Sequence, residues 1–239
     1  MGKLWKSILI LVLILVLGIY VMIHAHSKVA GAKAISYDNG HQGEKIVYAV
    51  SPLGRSEYND LGIVGYEGKK LWLVTFHTKV IGFEDLEKIY ADPNTGLPFR
   101  VERYINWPFS KEFLVEEYGQ DNSLVIKRFV NDKFTNDYRY KSDGPYHNAI
   151  LLPFYLREVK NLDIGWNMKV RFPEAFIVTL KSVDDIKVYG KTITAYHFSS
   201  EPNKFEVWIS KDKGRLPIVI KGVSGYSMVM KSHSGKNEK

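Results

Sequence analysis

The sequence predicts a mainly β protein: an antiparallel, curved meander sheet or half-barrel with one short helix packed on it, preceded by an N-terminal transmembrane or signal helix. Three observations predict it. Short strand-like runs recur between turn signals, with no room for βαβ crossovers. One stretch, Asn148 to Lys160, breaks that rhythm. The chain also begins with Lys3 and Lys6 followed by the uncharged run Ile8 to Ile23, the pattern of an export segment.

The apolar run comes first. Its sixteen residues would span about 24 Å as a helix, short of a ~30 Å hydrocarbon core. Leu4 and Trp5 extend it if Lys6 snorkels. Two outcomes stay open: an uncleaved anchor over residues 1–24, or a signal cut near Ala30-Gly31-Ala32 or Ala32-Lys33-Ala34. Either places the body outside the cytoplasm, on the periplasmic side of the inner membrane. Tethering is the first expectation, and a soluble periplasmic form the alternative. Residues 25–42 are small and polar and read as a linker, 43–231 as a single antiparallel β domain, and 232–239 as a polar tail.

Within the body, Lys45–Val50 is the first strand and Lys70–Val80 the longest. Both faces of the latter are apolar (Leu71, Leu73, Thr75, His77 against Trp72, Val74, Phe76, Thr78, Val80), which predicts cover on both sides. Further strands are expected at 87–92, 98–106, 112–118, 123–130 and 135–141. A second set is expected at 167–172, 175–183, 186–189, 192–199, 205–210, 216–222 and 226–231. Asp121-Asn122, Asn131-Asp132, Gly190 and Gly214 supply turns. A helix is expected around 150–159, capped by Asn148, with Pro153 in its first turn or splitting it. Residues 88–101 and 207–220 share one pattern: strand, Asp, turn, Gly, Leu-Pro, strand. Glycine supplies positive φ in such a turn, and proline fits the first position of a strand.

Several of these pieces occur together in a family. Gly43-Glu44-Lys45-Ile46-Val47-Tyr48-Ala49-Val50, Asp92 to Pro98, Ile150-Leu151-Leu152-Pro153-Phe154-Tyr155-Leu156-Arg157, Trp208-Ile209-Ser210 and Arg215 to Ile220 follow in order. This set resembles the bacterial exported proteins of domain-of-unknown-function family 3108. The chain departs in the middle: it has His147 and Leu151-Leu152-Pro153 where that family shows an aspartate and a small residue. The resemblance implies an exported, mostly antiparallel β protein with no established activity. The hairpin is also similar to that of the periplasmic lipoprotein carriers, which hold acyl chains in an open half-barrel; that likeness is at the level of fold.

Composition narrows the function. There is no cysteine, which excludes disulfides, thiolate metal sites and cysteine nucleophiles. The formal charge is +7, but four lysines lie in the first 34 residues, which hold no acid. The remainder has 29 basic and 26 acidic residues, a charge of +3, and no nucleic-acid partner is expected. The seven histidines show no metal-ligand spacing; no metal or cofactor is expected, and His77 and His197 fall inside strands. The carboxylate clusters Glu84, Asp85, Glu87 and Glu112, Glu116, Glu117 are expected to face water. Ser224-Gly225 lacks the nucleophile elbow. No enzyme is expected, and a hydrolase is the weakest reading.

Aromatics make 13% of the chain. Trp72, Phe76, Tyr104, Trp107, Phe109, Tyr155 and Trp166 are the candidate ligand-binding residues, with Phe113 beside them; the competing reading is ordinary sheet core. Trp107-Pro108-Phe109 falls between strands, where a loop exposes it. The expected function is an extracytoplasmic module that binds or carries a hydrophobic, lipid-like ligand in the cell envelope, held at the membrane by its first segment. The alternative is a non-enzymatic scaffold or adaptor with a protein partner in the envelope.

Overall fold

The structure, a computed structural model, describes residues 43–222 and 226–235. The expected anchor, linker and last tail residues lie outside the described residues. Among those described, no helix is long and apolar enough to cross a membrane.

Fourteen strands build one antiparallel sheet among the described residues. They are β1 (Lys45–Val50), β2 (Gly54–Tyr66), β3 (Lys69–Val80), β4 (Phe83–Ala91), β5 (Pro98–Asn106), β6 (Lys111–Tyr118), β7 (Ser123–Val130), β8 (Lys133–Lys141), β9 (Asn167–Arg171), β10 (Ala175–Val188), β11 (Lys191–Glu201), β12 (Glu206–Ser210), β13 (Pro217–Lys221) and β14 (Ser227–Ser234). A single helix, α1 (Leu152–Arg157), joins β8 to β9. The strand order runs β8 to β1, then β14 back to β9. Each neighbour is thus a hairpin partner, except where β1 meets β14. β8 and β9 remain free edges, so the sheet curves without closing.

The helix explains the curvature. Leu151 and Phe154 join Ile46, Tyr48, Tyr58, Trp72, Val74 and Ile89 in one core. Leu152, Tyr155 and Leu156 join Val170, Phe176, Val178, Phe198 and Ile209 in another. All six helical residues are buried, because the sheet wraps both sides of this one turn and a half. Tyr58 stacks on Phe154 with ring centroids 3.7 Å apart. Pro153 sits in the first turn and does not split the helix. Asn148 Oδ1 accepts from the N–H groups of Ile150 and Leu151 (2.9 and 3.1 Å), capping the turn that leads into the helix rather than the helix itself.

Three expectations need correction. β2 falls where no strand was expected; its polar, glycine-bearing sequence lacks strand propensity, and it is held by ladders on both sides, to β1 and β3. The 175–183 and 186–189 strands are one strand, β10, kinked by an irregularity between Leu180 and Ser182. β3 is covered on one face only: Trp72, Val74 and Phe76 are buried, whereas Leu73, Thr75 and His77 are half-exposed and only Leu71 is buried opposite them. In addition, β14 runs through Ser234, past the expected start of the polar tail.

The two similar hairpins form as read. Asp92 Oδ1 accepts from the N–H groups of Asn94 and Thr95 (both 2.9 Å). Asp212 Oδ1 accepts from those of Gly214 and Arg215 (2.9 and 3.1 Å). Pro98 and Pro217 each open a strand. The left-handed position is Gly96 (φ 66°) in the first copy but Arg215 (φ 46°) in the second, not the expected Gly214.

Candidate functional site

Calling the end reached by the last residue of β1 the upper end, alternate hairpin turns fall there: 51–53, 81–82 and 107–110. The opposite, lower end is tied down. Arg157, in the last turn of α1, donates to Glu44 from Nη1 (2.8 Å) and Nη2 (3.1 Å), with both side chains buried. His233 Nε2 lies 2.9 Å from the same carboxylate. The Tyr48 hydroxyl donates to the Pro217 carbonyl (2.9 Å), and Arg215 Nη1 to that of Val159 (2.6 Å). A buried ion pair costs much of its Coulomb gain in desolvation, so this cluster serves to fix the helix against both halves of the sheet.

Above the helix the sheet encloses a cavity of about 810 Å³. That lies within the range of small-molecule sites and is large enough for an acyl chain. Val50, Phe76, Val80, Leu124, Ile126 and Met228 give it an apolar wall. That wall is interrupted by a charged band between β3 and β7, where Glu87 pairs in register with Phe76 and Glu116 with Ile126. Asp85 and Glu87 on β4, Arg103 on β5 and Glu116 on β6 project into it. Arg103 holds Asp85 in two bonds (Nε–Oδ1 3.0 Å, Nη2–Oδ2 2.5 Å) and approaches Glu87 at 3.5 Å. Tyr118 donates to Glu116. Three carboxylates thus face one guanidinium in a low-dielectric pocket. Burial pushes the Glu87 carboxyl up to about 7, Arg103 opposing and Asp85 and Glu116 adding to the rise. Burial raises Glu116 as well, against the pull of Tyr118 and Arg103.

His147 lines the same cavity. Its Nδ1 accepts from the Arg171 N–H (3.3 Å), and its buried Nε2 has no hydrogen-bond partner among the described residues. Burial lowers it to about 4, so the ring is neutral at pH 7, with its proton on Nε2.

The candidate ligand-binding residues separate. Phe76 and Trp107 line the cavity. Trp72 is core: its Nε1 donates to Asp60 Oδ1 (2.8 Å), which also holds the Gly62 N–H across an irregularity in β2. Tyr155 belongs to the core under β9–β12, and Trp166 packs edge-on against Phe198 at its margin. Tyr104 points the other way, stacking on Phe113 at 4.7 Å. Phe113, Phe129 and Phe134 extend this aromatic row along the convex face to the β8 edge. Phe109 stands clear of the cavity at the upper rim, fully in solvent.

Of the carboxylates expected to face water, Asp85, Glu87 and Glu116 line the cavity instead, whereas Glu84 and Glu117 stand in ion pairs at the surface. On β4 the buried residues Ile89 and Ala91 share their face with Asp85 and Glu87. On β5, Val101 and Ile105 share theirs with Arg103. Strict alternation therefore puts the acids and Arg103 inside; that parity was readable in the sequence. His77 pairs with Glu84 (2.7 Å) and His197 stacks on Trp208 at 4.2 Å.

No family model matches the chain, family 3108 included, and no curated protein matches it. Among solved structures it is similar to a β-barrel-like protein of domain-of-unknown-function family 1849 from Brucella abortus. The TM-score is 0.47 and the identity 7%, over 86% of this chain and 100% of that one.

Proposed function

We propose that the curved sheet is a non-enzymatic binding or carrier module for an amphipathic, lipid-like ligand outside the cytoplasm. The observation that carries this reading is the cavity of about 810 Å³ whose apolar lining is crossed by a band of buried charge. A plain hydrocarbon would leave the carboxylates and His147 Nε2 unsolvated, which costs free energy. A chain with a hydroxyl- or amine-bearing head satisfies both the apolar lining and the polar groups. The test uses the purified full-length protein: organic extraction and mass spectrometry for bound amphipaths, then titration with a fluorescent fatty acid. Saturable uptake is expected, with loss in Ile126→Trp, which fills the cavity from β7. No bound amphipath and no saturable uptake would remove the reading.

A second reading, an envelope adaptor, draws on the aromatic row from Tyr104 to Phe134 and the exposed edge strand β8. Lys133, Arg139 and Lys141 on that edge disfavour strand-to-strand aggregation while leaving the row free for a partner. Crosslinking in cells from Phe134 separates the two readings: an adaptor gives one protein adduct, a carrier none.

A further inference from the structure

The upper rim carries large apolar side chains where turns ordinarily carry polar ones. Leu53 at the β1–β2 turn is 71% exposed, Ile81 at the β3–β4 turn 80%, and Trp107 and Phe109 between β5 and β6 are 47% and 99% exposed. These are alternate hairpins, the ones whose turns fall at the upper end, and the second and third touch. Phe83 packs on Trp107 with centroids 4.7 Å apart, and a groove of about 390 Å³ runs between the 81–82 turn and Trp107-Pro108. Trp107, Val80 and Phe83 line both this groove and the main cavity, so the tips surround the cavity mouth.

We propose that these three tips seat the protein on the surface of an anionic phospholipid bilayer, mouth toward the lipid. The proposal deepens the ligand-binding reading by naming the surface that the ligand crosses. Three features favour lipid over a protein partner. The apolar groups are separate projecting tips and not one flat patch, which suits a fluid surface better than the packed core of a protein interface. Arg55, Lys79, Lys111 and Lys133, all exposed, stand at the strand ends beside the tips, against Glu84 and Asp132. Glu84 is already paired with Lys79 and His77, and Glu57 with Arg55, which leaves Lys111 and Lys133 as the rim cations that complement anionic headgroups. Trp107 keeps its indole N–H on Glu112 (3.2 Å) and leaves its ring partly in solvent at the mouth, the amphipathic placement that tryptophan takes at membrane interfaces.

The chain has no cysteine, so a single environment-sensitive fluorophore can be placed at will. Full-length Phe109→Cys and Ile81→Cys proteins, labelled with a nitrobenzoxadiazole dye, are compared with Asn94→Cys, which sits in the β4–β5 turn at the opposite end. The probe is vesicles of 3:1 phosphatidylcholine and phosphatidylglycerol. Because position is read, attachment through the N-terminal segment does not imitate the result. Both rim probes should shift to the blue and brighten while the Asn94 probe does not. Phosphatidylcholine alone should weaken the shift, and Lys111→Gln or Lys133→Gln should each weaken it about fivefold. Rim probes that keep their aqueous emission on vesicle-bound protein overturn the proposal, as does an equal shift at Asn94. A shift that needs no vesicle and grows with protein concentration also overturns it, assigning the rim to a second copy of the chain. Failed fatty-acid uptake with an intact rim shift would remove the ligand reading and leave the docking surface standing.

Discussion

The lower and upper ends of the same sheet differ in how they treat polar groups. At the lower end Glu44 is shared by Arg157 and His233, and Tyr48 reaches Pro217. The helix fills the space, and the groups are closed on one another. At the upper end Asp85, Glu87 and Glu116 compete for Arg103, His147 Nε2 is unmatched, and the rim is apolar. Segments far apart in the chain meet at the lower end: Glu44 with Arg157, Tyr48 with Pro217. That set of residues reports how the sheet is held in shape. The charged groups that would meet a ligand lie elsewhere, on β4, β5 and β6.

Breaking the lower end should give the largest effect. Arg157→Ala leaves Glu44 buried without its guanidinium and should cost about 3–5 kcal/mol of unfolding free energy, read by urea denaturation. Replacing both partners by methionine should recover most of that loss, because a buried pair is worth little over well-packed apolar groups.

The upper end should show itself as pH dependence. Glu87 is raised from 4.5 to about 7, so the folded state binds the extra proton and stability falls as pH rises through that window. His147 is lowered from 6.5 to about 4. The unfolded state binds its proton first, so stability rises with pH between those values. The two slopes oppose one another where they overlap. Glu87→Gln should leave the rising slope and His147→Gln the falling one, each on the order of 1–3 kcal/mol. Urea midpoints measured across the window check this; parallel curves for the two variants would refute the assigned environments.

The smallest effect should come from the rim. Phe109→Ser or Ile81→Ser should leave the unfolding free energy within about 0.5 kcal/mol of the parent, since both side chains are already in water. The same substitutions should abolish the vesicle-dependent shift of a fluorophore placed at the neighbouring tip. Large destabilisation would mean that these tips are part of the core.

Much of the sheet was legible because alternating residues and turn signals are local. Lys45–Val50 and Ser123–Val130 match their expected bounds, and both Asp-turn-Leu-Pro hairpins form as read. β2 was not legible: Ser56, Tyr58 and Asp60 are buried, but only because strands on either side supply their partners. The aromatic candidates were identified by type, and type does not say which face of a curved sheet a ring occupies. Tyr104 and Phe76 read alike in the sequence and lie on opposite surfaces.

The sequence by itself determined an antiparallel sheet with one helical interruption, the exposed Trp107-Pro108-Phe109 turn and the absence of thiol chemistry, because each depends on residues near one another in the chain. Only the tertiary structure decided where the helix lodges, and hence which stretch of the inner surface is filled and which stays hollow. It also brought Asp85, Arg103, Glu116 and His147 to one cavity. Those placements depend on how far the sheet bends around a six-residue helix, a balance of long-range packing that no local pattern encodes.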